Sequence, residues 1–301
     1  MPVDGRRYGR GVDARGNGDS GGKEFQRVAE SLRTRMTDGT YSVGSFLPPQ
    51  RELADEFGVS RDTVQRALRE LADEGWIVSR QGSGSRVVKT QRIQSTAAKT
   101  ARARHGATLG LIIRSAFESP QVALDIYTLT AESLDAHIRV QVERIHAGEI
   151  APERIAMRLL LPDATLPLPY PRVKGDKKDL RLQERLRAIS HRHTESLRGS
   201  LKDLRTEGLV PSVGFEIRHT PLVPPFKLYL INRVEALHGM YDVIERQIEL
   251  DDGEVVTALD VLGLGATLTH QVKDDDANSP GSVFVDNMQA WFDSVWARLS
   301  E

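Results

Sequence analysis

The sequence of 301 residues contains no cysteine, few aromatic residues and no long apolar run. Without cysteine, neither a disulfide framework nor a cysteine-ligated metal site can form. No apolar run reaches the roughly 18 residues that a membrane-spanning helix needs, and the N-terminus lacks the apolar core of a signal peptide. These absences predict a cytoplasmic protein that has no membrane partner.

Intact catalytic motifs are also missing. The sequence has no glycine-rich phosphate loop, no nucleophile elbow and no His-Glu-x-x-His metal motif. We therefore predict that the chain is not an enzyme and that it uses neither a cofactor nor a metal ion. The length of 301 residues is enough for about two domains.

Charge is nearly balanced over the whole chain but unevenly divided along it. The formal net charge is −1, yet residues 1–105 carry 19 basic and 13 acidic side chains, and the remainder carries 22 and 29. The formal net charge is thus +6 for residues 1–105 and −7 for the remainder. Such a division is typical of a module that binds nucleic acid joined to one that does not.

The stretch from Leu47 to Arg86 begins with two short amphipathic segments separated by a tight turn. Gly58 can take the left-handed conformation that ends a helix, and Ser60 is placed to cap the helix that follows. One face of that second helix is apolar at helical spacing, through Val64, Ala67, Leu68 and Leu71. Its opposite face is polar and basic, which predicts a helix-turn-helix that enters a DNA groove.

Two short strand-like segments follow the second helix. Residues 76–80 and 85–88 flank the sequence Gln81-Gly82-Ser83-Gly84. This pattern predicts a β-hairpin with a flexible, cationic tip, known as a wing. Its glycines permit close approach of the backbone to a phosphate or to the minor groove.

This order of motifs resembles the DNA-binding domain of the GntR family of bacterial transcription regulators. The residues that carry the resemblance are Leu47-Pro48, Arg51-Glu52-Leu53-Ala54, Val59 to Val64, Ala67 to Leu71, Glu74-Gly75 and Gln81 to Ser85. The sequence departs from the family pattern at Pro49, where a small polar residue is usual, and at Gln65, where a basic residue is common. The resemblance implies a winged helix-turn-helix over residues 23–89.

The same resemblance implies that double-stranded operator DNA is the partner of this domain. The residues expected to contact DNA are Arg51, Arg61, Asp62, Thr63, Gln65, Arg66, Arg80, Gly82, Ser83 and Gly84. One winged helix buries too little surface for tight, specific binding, so we expect a homodimer on an inverted repeat.

The other ranges follow from composition and periodicity. Residues 1–22 have almost no apolar content and are predicted to be a disordered tail, and residues 90–106 are predicted to be a linker. From residue 107 to 301, strands alternate with helices, which predicts an α/β domain. The fold class is therefore multidomain α+β, with an N-terminal winged helix-turn-helix and a C-terminal α/β domain.

Individual elements can be placed from the same patterns. Strands are predicted at 108–113, 122–129, 155–161, 213–218, 226–231, 239–250 and 255–262. Helices are predicted at 24–37, 131–146, 180–207 and 283–299, and a proline-rich loop at 162–176.

The C-terminal domain also resembles the phospholipase D-like superfamily, in the stretch from Pro224 to Asn232. In that superfamily a strand carries His-x-Lys, then four further residues and then Asp; the histidine attacks phosphorus and the lysine holds the phosphate oxygens. Here Pro225, Lys227 and Asn232 stand at these three positions. Proline has no nucleophile, so the resemblance implies a domain that binds an anion without reacting with it.

The predicted function is a sequence-specific transcription regulator, a repressor, controlled by a small anionic effector. The effector site is predicted at Lys227 and Asn232, with His219 added for its position before a proline-rich turn. Two alternatives remain open for the C-terminal domain. It can be a phosphodiesterase or nuclease tethered to DNA, or a platform for protein interactions without a small ligand.

Overall fold

The computed structural model describes residues 18–37, 40–41, 44–73, 76–80, 84–87, 93–95, 109–250, 253–263 and 267–301. Helix α1 spans Gly18–Thr37, so the end of the range predicted as a disordered tail is helical. Residues 1–17 lie outside the described residues. Within the described ranges, none of the helices combines the length and the apolar character that a membrane span requires.

The N-terminal domain contains the predicted helix-turn-helix and wing. After α1 come α2 (Gln50–Phe57), α3 (Arg61–Asp73), β1 (Ile77–Arg80) and β2 (Gly84–Val87). Strands β1 and β2 pair antiparallel, with Ile77 opposite Val87. The predicted apolar stripe of α3 is buried in the core of this domain together with Val28, Leu32 and Trp76.

The turn between α2 and α3 has the predicted conformation. Gly58 ends α2 with φ of +65° and ψ of +35°, and its N–H donates to the carbonyl of Ala54. Ser60 then caps α3, because its Oγ accepts a hydrogen bond from the N–H of Thr63 at 3.1 Å. A residue with a left-handed backbone followed by a capped helix sets the angle at which α3 leaves the turn.

The C-terminal domain is built on a seven-stranded mixed sheet in the order β3-β12-β9-β8-β4-β5-β7. Its strands are β3 (Ile93–Ser95), β4 (Gln121–Tyr127), β5 (Arg154–Pro162), β7 (Ser212–Thr220), β8 (Phe226–Ile231), β9 (Glu235–Met240) and β12 (Leu268–Val272). Strands β4, β5 and β7 run parallel to one another. Strand β3 pairs in parallel with β12, so part of the predicted linker 90–106 is a strand of this sheet.

Helices cover both faces of the sheet, as expected for an α/β domain. On one face α4 (Leu109–Ala116), α5 (Glu132–His146) and α6 (Arg181–Thr206) pack against residues such as Leu124 and Ile126. On the other face α7 (Pro280–Arg298) packs against Tyr127 and Leu228. The alternation of strand side chains between the two faces places a separate apolar core on each side.

The strand predicted at 108–113 is wrong, because this segment belongs to α4. Its buried residues are Leu109, Ile112, Ile113 and Ala116, which is the spacing of one helix face. The prediction treated the short apolar run as a buried strand, although its period is helical.

A smaller antiparallel sheet covers the start of α6. It consists of β10 (Asp242–Glu249), β11 (Val255–Leu262) and the two-residue strand β6 (Arg172–Val173), in the order β10-β11-β6. The range predicted as one strand, 239–250, is thus divided between β9 and β10. Strand β6 lies in the range predicted as a proline-rich loop.

Polar contacts join the N-terminal and C-terminal domains. The indole Nε1 of Trp76 donates to Oε1 of Glu132, the first residue of α5, at 3.1 Å. On α3, Glu70 accepts from the buried Arg33 at 2.8 Å and forms an ion pair with Arg192 of α6 at 3.2 Å. These contacts link α3 and Trp76 of the winged helix to α5 and α6 of the C-terminal domain.

The Gly58 turn yields a test of the local geometry. A side chain at a left-handed φ costs about 1–2 kcal/mol, so Gly58→Ala should lower the free energy of unfolding by about that amount. Gly199 is a matched control, because it lies within α6 and a Cβ there would meet no atom within 4 Å. Gly199→Ala should raise the free energy of unfolding by up to about 1 kcal/mol. Urea unfolding followed by circular dichroism measures both changes; an unchanged Gly58→Ala variant would contradict the turn geometry.

Candidate nucleic-acid interface and anion cavity

The outer face of α3 is the exposed surface that the sequence predicted for DNA contacts. Its exposed residues are Arg61, Asp62, Gln65, Arg66 and Arg69. Because the apolar stripe faces inward, these side chains point away from the domain core. Three arginines on one exposed helix face provide the cationic surface that phosphate binding requires.

Three arginines of the predicted interface, Arg66, Arg51 and Arg80, differ in their positions and contacts. The guanidinium of Arg66 lies over the ring of Phe25, with Cζ 4.6 Å from the ring centroid. This cation–π contact restricts the Arg66 side chain before any DNA is bound. Arg51 is exposed on α2, beside the turn. Arg80 lies at the end of β1.

Thr63, one of the predicted DNA contacts, differs from its neighbours on α3 in having little exposed surface. It is only 8 % exposed. Its hydroxyl lies 2.9 Å from the Oγ of Ser60, within the cap at the start of α3. The DNA contact of Thr63 stays a prediction, and without DNA its hydroxyl lies within the cap.

The wing is braced from both strands. The Oγ atoms of Ser79 and Ser85 are 2.8 Å apart, and Nε of Arg86 donates to the carbonyl of Gly44 at 2.9 Å. Gly84 begins β2 with φ of +82°, a conformation that favours glycine. The predicted contacts Gly82 and Ser83 lie outside the described residues.

A cavity of about 90 Å³ in the C-terminal domain contains the predicted ligand-binding lysine. We call it the Lys227 cavity; its wall comes from the start of α5, the first half of α6, β8 and the smaller sheet. Lys227 is only 3 % exposed. Its Nζ donates to the carbonyl of Gly263 at 2.7 Å and lies 5.5 Å from the centroid of the Tyr241 ring. A buried ammonium requires such partners, because burial of a charge alone is costly.

The charges around the Lys227 cavity favour an anion. Three cationic residues and two carboxylates line it, and the two carboxylates are Glu132 and Asp260. Asp260 already pairs with Arg246, whose Nε donates to Oδ2 at 2.7 Å, and it also accepts from the N–H of Val261. The formal charge of the lining is therefore +1.

Helix α5 adds to this field. It begins at the cavity wall with Glu132 and Ser133, and its N-cap residue Ala131 provides no side-chain cap. The first backbone N–H groups of a helix carry partial positive charge, which favours an anion. On the same helix, burial and the nearby Lys227 lower the pKa of His137 to about 4, so that imidazole is neutral near pH 7.

Tyr241 fixes one side of the Lys227 cavity. Thr128 donates its hydroxyl proton to the carbonyl of Thr130, so the hydroxyl of Tyr241 donates to Oγ1 of Thr128 at 3.0 Å. The Tyr241 oxygen also accepts from the N–H of Leu129 at 3.0 Å. Burial raises the pKa of Tyr241 to about 12, so this network keeps its proton near neutral pH.

The other two predicted ligand residues do not join Lys227. Asn232 lies in the turn after β8 with φ of +51°. Its Oδ1 accepts from the N–H of Ala123 at 2.8 Å, so its amide stabilises the turn against β4. His219 lies near the end of β7 and lines a different cavity. Both residues are near Lys227 in sequence, but the strand directions separate them from it.

The second cavity, of about 370 Å³, lies between α6 and the carboxyl ends of the parallel strands β5 and β7. We call it the leucine cavity, because leucines predominate among its apolar lining residues: Leu129, Leu161, Leu166, Leu168 and Leu186. The carboxyl ends of parallel strands are a common location for ligand sites in α/β folds.

Sequence reasoning missed several residues of the Lys227 cavity, chiefly Glu132, Tyr241, Arg246 and Asp260. Arg246 and Asp260 lie on paired strands, diagonally across the register of β10 and β11. Opposite charges at alternate positions of two neighbouring predicted strands are a signal for such a pair. No sequence signal links Glu132 to this cavity.

Comparison with known proteins agrees with the geometry of the N-terminal domain. A family model described as "Bacterial regulatory proteins, gntR family" matches residues 25–87. Residues 25–87 form a GntR-family DNA-binding domain. The family expected from the motifs between Leu47 and Ser85 is thereby confirmed.

Individual relatives match only a short part of the chain. It is 43 % identical over 67 residues to the Exu regulon transcriptional regulator of Escherichia coli (strain K12), which is 22 % of this chain and 26 % of that protein. It is also 39 % identical over 69 residues to the mannosyl-D-glycerate transport/metabolism system repressor MngR of the same strain. That match covers 23 % of this chain and 28 % of MngR. The chain thus spans about a quarter of the length of these curated relatives.

A solved structure of the AraR DNA-binding domain in complex with operator ORX1 is 31 % identical to this chain. The match covers 22 % of this chain and 78 % of the AraR chain in that structure, with a TM-score of 0.21.

The GntR domain yields a prediction for Arg61. Arg61→Ala should weaken binding to a duplex selected from a random pool by about 1–3 kcal/mol if the side chain reads a base. Binding to unselected duplexes should then change little; if Arg61 contacts phosphate, both affinities should fall together. The control is Arg205→Ala, which removes an exposed arginine at the end of α6. Gel-shift titration at fixed salt measures the change, and unchanged affinity for both duplexes would contradict a role for Arg61.

Proposed function

We propose that the chain is a transcription regulator, and specifically a repressor, whose GntR domain binds operator DNA under the control of a small anion. The observation that carries this proposal is the GntR-family match at residues 25–87, together with the exposed cationic face of α3. Helix α3 would enter the major groove, and the wing would contact the adjacent backbone.

The anionic effector is proposed to bind in the Lys227 cavity. The buried ammonium of Lys227, the lining charge of +1 and the start of α5 all favour negative charge there. The retained lysine also fits the phospholipase D-like resemblance, which remains part of this proposal. Asn232 and His219 have no place in the site, because neither lines this cavity.

Glu132 is the proposed link between the effector and DNA. Its side chain lines the Lys227 cavity and accepts the hydrogen bond from Trp76 of the GntR domain. The backbone N–H of Trp76 in turn donates to the carbonyl of Leu71 in α3 at 2.8 Å. An anion in the cavity would repel the Glu132 carboxylate and weaken its hold on Trp76. The effector would then shift the population between two placements of α3.

We also propose that the protein acts as a homodimer on an inverted repeat, because one winged helix offers a small DNA interface. The interior strand β8 cannot provide the dimer contact through its edges, since both of them are paired within the sheet. Phe292 of α7 is fully buried within its own domain.

The enzyme alternative has one supporting observation, the lysine retained in a cavity. It lacks the nucleophile, because Pro225 stands at the histidine position. Phosphodiester hydrolysis that disappears in Lys227→Ala would favour this alternative. The interaction-platform alternative predicts that no small anion binds.

The proposal is tested by calorimetry with inorganic phosphate and a panel of sugar phosphates and nucleotides. At least one anion should bind, and Lys227→Met should weaken it by about tenfold or more, because a charge-assisted hydrogen bond is lost. Lys202→Met is the matched control, since Lys202 is exposed on α6 and lines neither cavity. The bound anion should also change the affinity for the selected duplex. Equal binding by wild type and Lys227→Met would remove Lys227 from the effector site.

A further inference from the structure

The Lys227 cavity and the leucine cavity are neighbours. Leu129 and Leu186 line both of them, so these two side chains form a shared wall. Leu129 follows β4, and Leu186 is half-buried on α6. The side chains of Leu129 and Leu186 therefore lie between the two cavities where these adjoin.

The two cavities differ in chemical character. The Lys227 cavity is small and cationic, with about 90 Å³ and the ammonium of Lys227 in its wall. The leucine cavity is about four times larger, at 370 Å³, and its wall includes five leucines with Pro162 and Ile217. The Lys227 cavity thus suits a compact anionic group, and the leucine-lined part of the larger cavity suits an apolar group.

Three polar side chains of the leucine cavity already donate hydrogen bonds to backbone carbonyls. Nε2 of Gln183 donates to the carbonyl of Leu168 at 2.9 Å. Nε of Arg187 donates to the carbonyl of Ala164 at 2.8 Å, and the hydroxyl of Thr194 donates to the carbonyl of His191 at 2.9 Å. These groups gain little from a polar ligand, whereas the leucine wall gains from an apolar one.

We propose that the effector is an amphipathic anion, an alkyl or aryl carboxylate, whose head binds beside Lys227 and whose apolar tail fills the leucine cavity. The proposal rests on the anion site of the proposed function and narrows its ligand class. A tail of several carbons supplies binding energy in proportion to its buried area, while the head fixes the orientation. A bare sugar phosphate would leave the leucine cavity unfilled.

The test is isothermal titration of the full chain with acetate, hexanoate, decanoate and tetradecanoate, each below its micelle concentration. Burial of one methylene is worth about a fourfold gain in affinity, so affinity should rise steeply with chain length until the cavity is full. Lys227→Met should weaken each carboxylate by about tenfold or more. Ser190→Trp, which fills the leucine cavity from α6, should weaken only the long ones.

Matched variants keep these outcomes interpretable. Ser190→Leu replaces the tryptophan variant if circular dichroism shows that the latter is unfolded, and Ser200→Leu is the control on α6 that lines neither cavity. Affinity that depends on Lys227 but not on chain length would overturn the tail site and leave the anion site standing. Binding that rises with chain length but ignores Lys227→Met would overturn the two-part site and the anion site together. No binding by any carboxylate would also overturn this inference, while the phosphate panel still decides the proposed function.

Discussion

The hydrogen bond from Trp76 to Glu132 connects the GntR domain to the wall of the Lys227 cavity. The indole of Trp76 belongs to the core of the GntR domain, and its acceptor Glu132 is a wall residue of the Lys227 cavity. Through the Trp76 backbone, the same residue is bonded to the end of α3. In our proposal, any ligand that changes the field at Glu132 therefore acts on the helix that contacts DNA.

Buried charge determines what the Lys227 cavity can accept. Lys227 is buried and donates to the carbonyl of Gly263, and the half-buried Arg246 pairs with Asp260 in the cavity wall. Neutral His137 and protonated Tyr241 add no opposing charge near pH 7. The lining consequently keeps an excess of positive charge. A bound anion would offset this charge and so lower the free-energy cost of burying it.

The sequence predicted best what is locally determined. The turn at Gly58, the cap at Ser60 and the stripe from Val64 to Leu71 depend on neighbours within one or two helical turns, and the structure has all three. The short apolar run of α4 was misassigned, because a buried strand and a buried helix look alike over six residues.

The cavity was only partly predictable, because its residues meet through long-range pairing. Lys227 was found by resemblance, whereas Arg246 and Asp260 come together only through the register of β10 and β11. Glu132 was missed for the same reason: its partner Trp76 lies in another domain. The most direct test of the link is a double-mutant cycle of Trp76→Phe and Glu132→Ala on the free energy of unfolding. Our account predicts a coupling of about 1–2 kcal/mol between the two changes, and additivity within about 0.3 kcal/mol would contradict it.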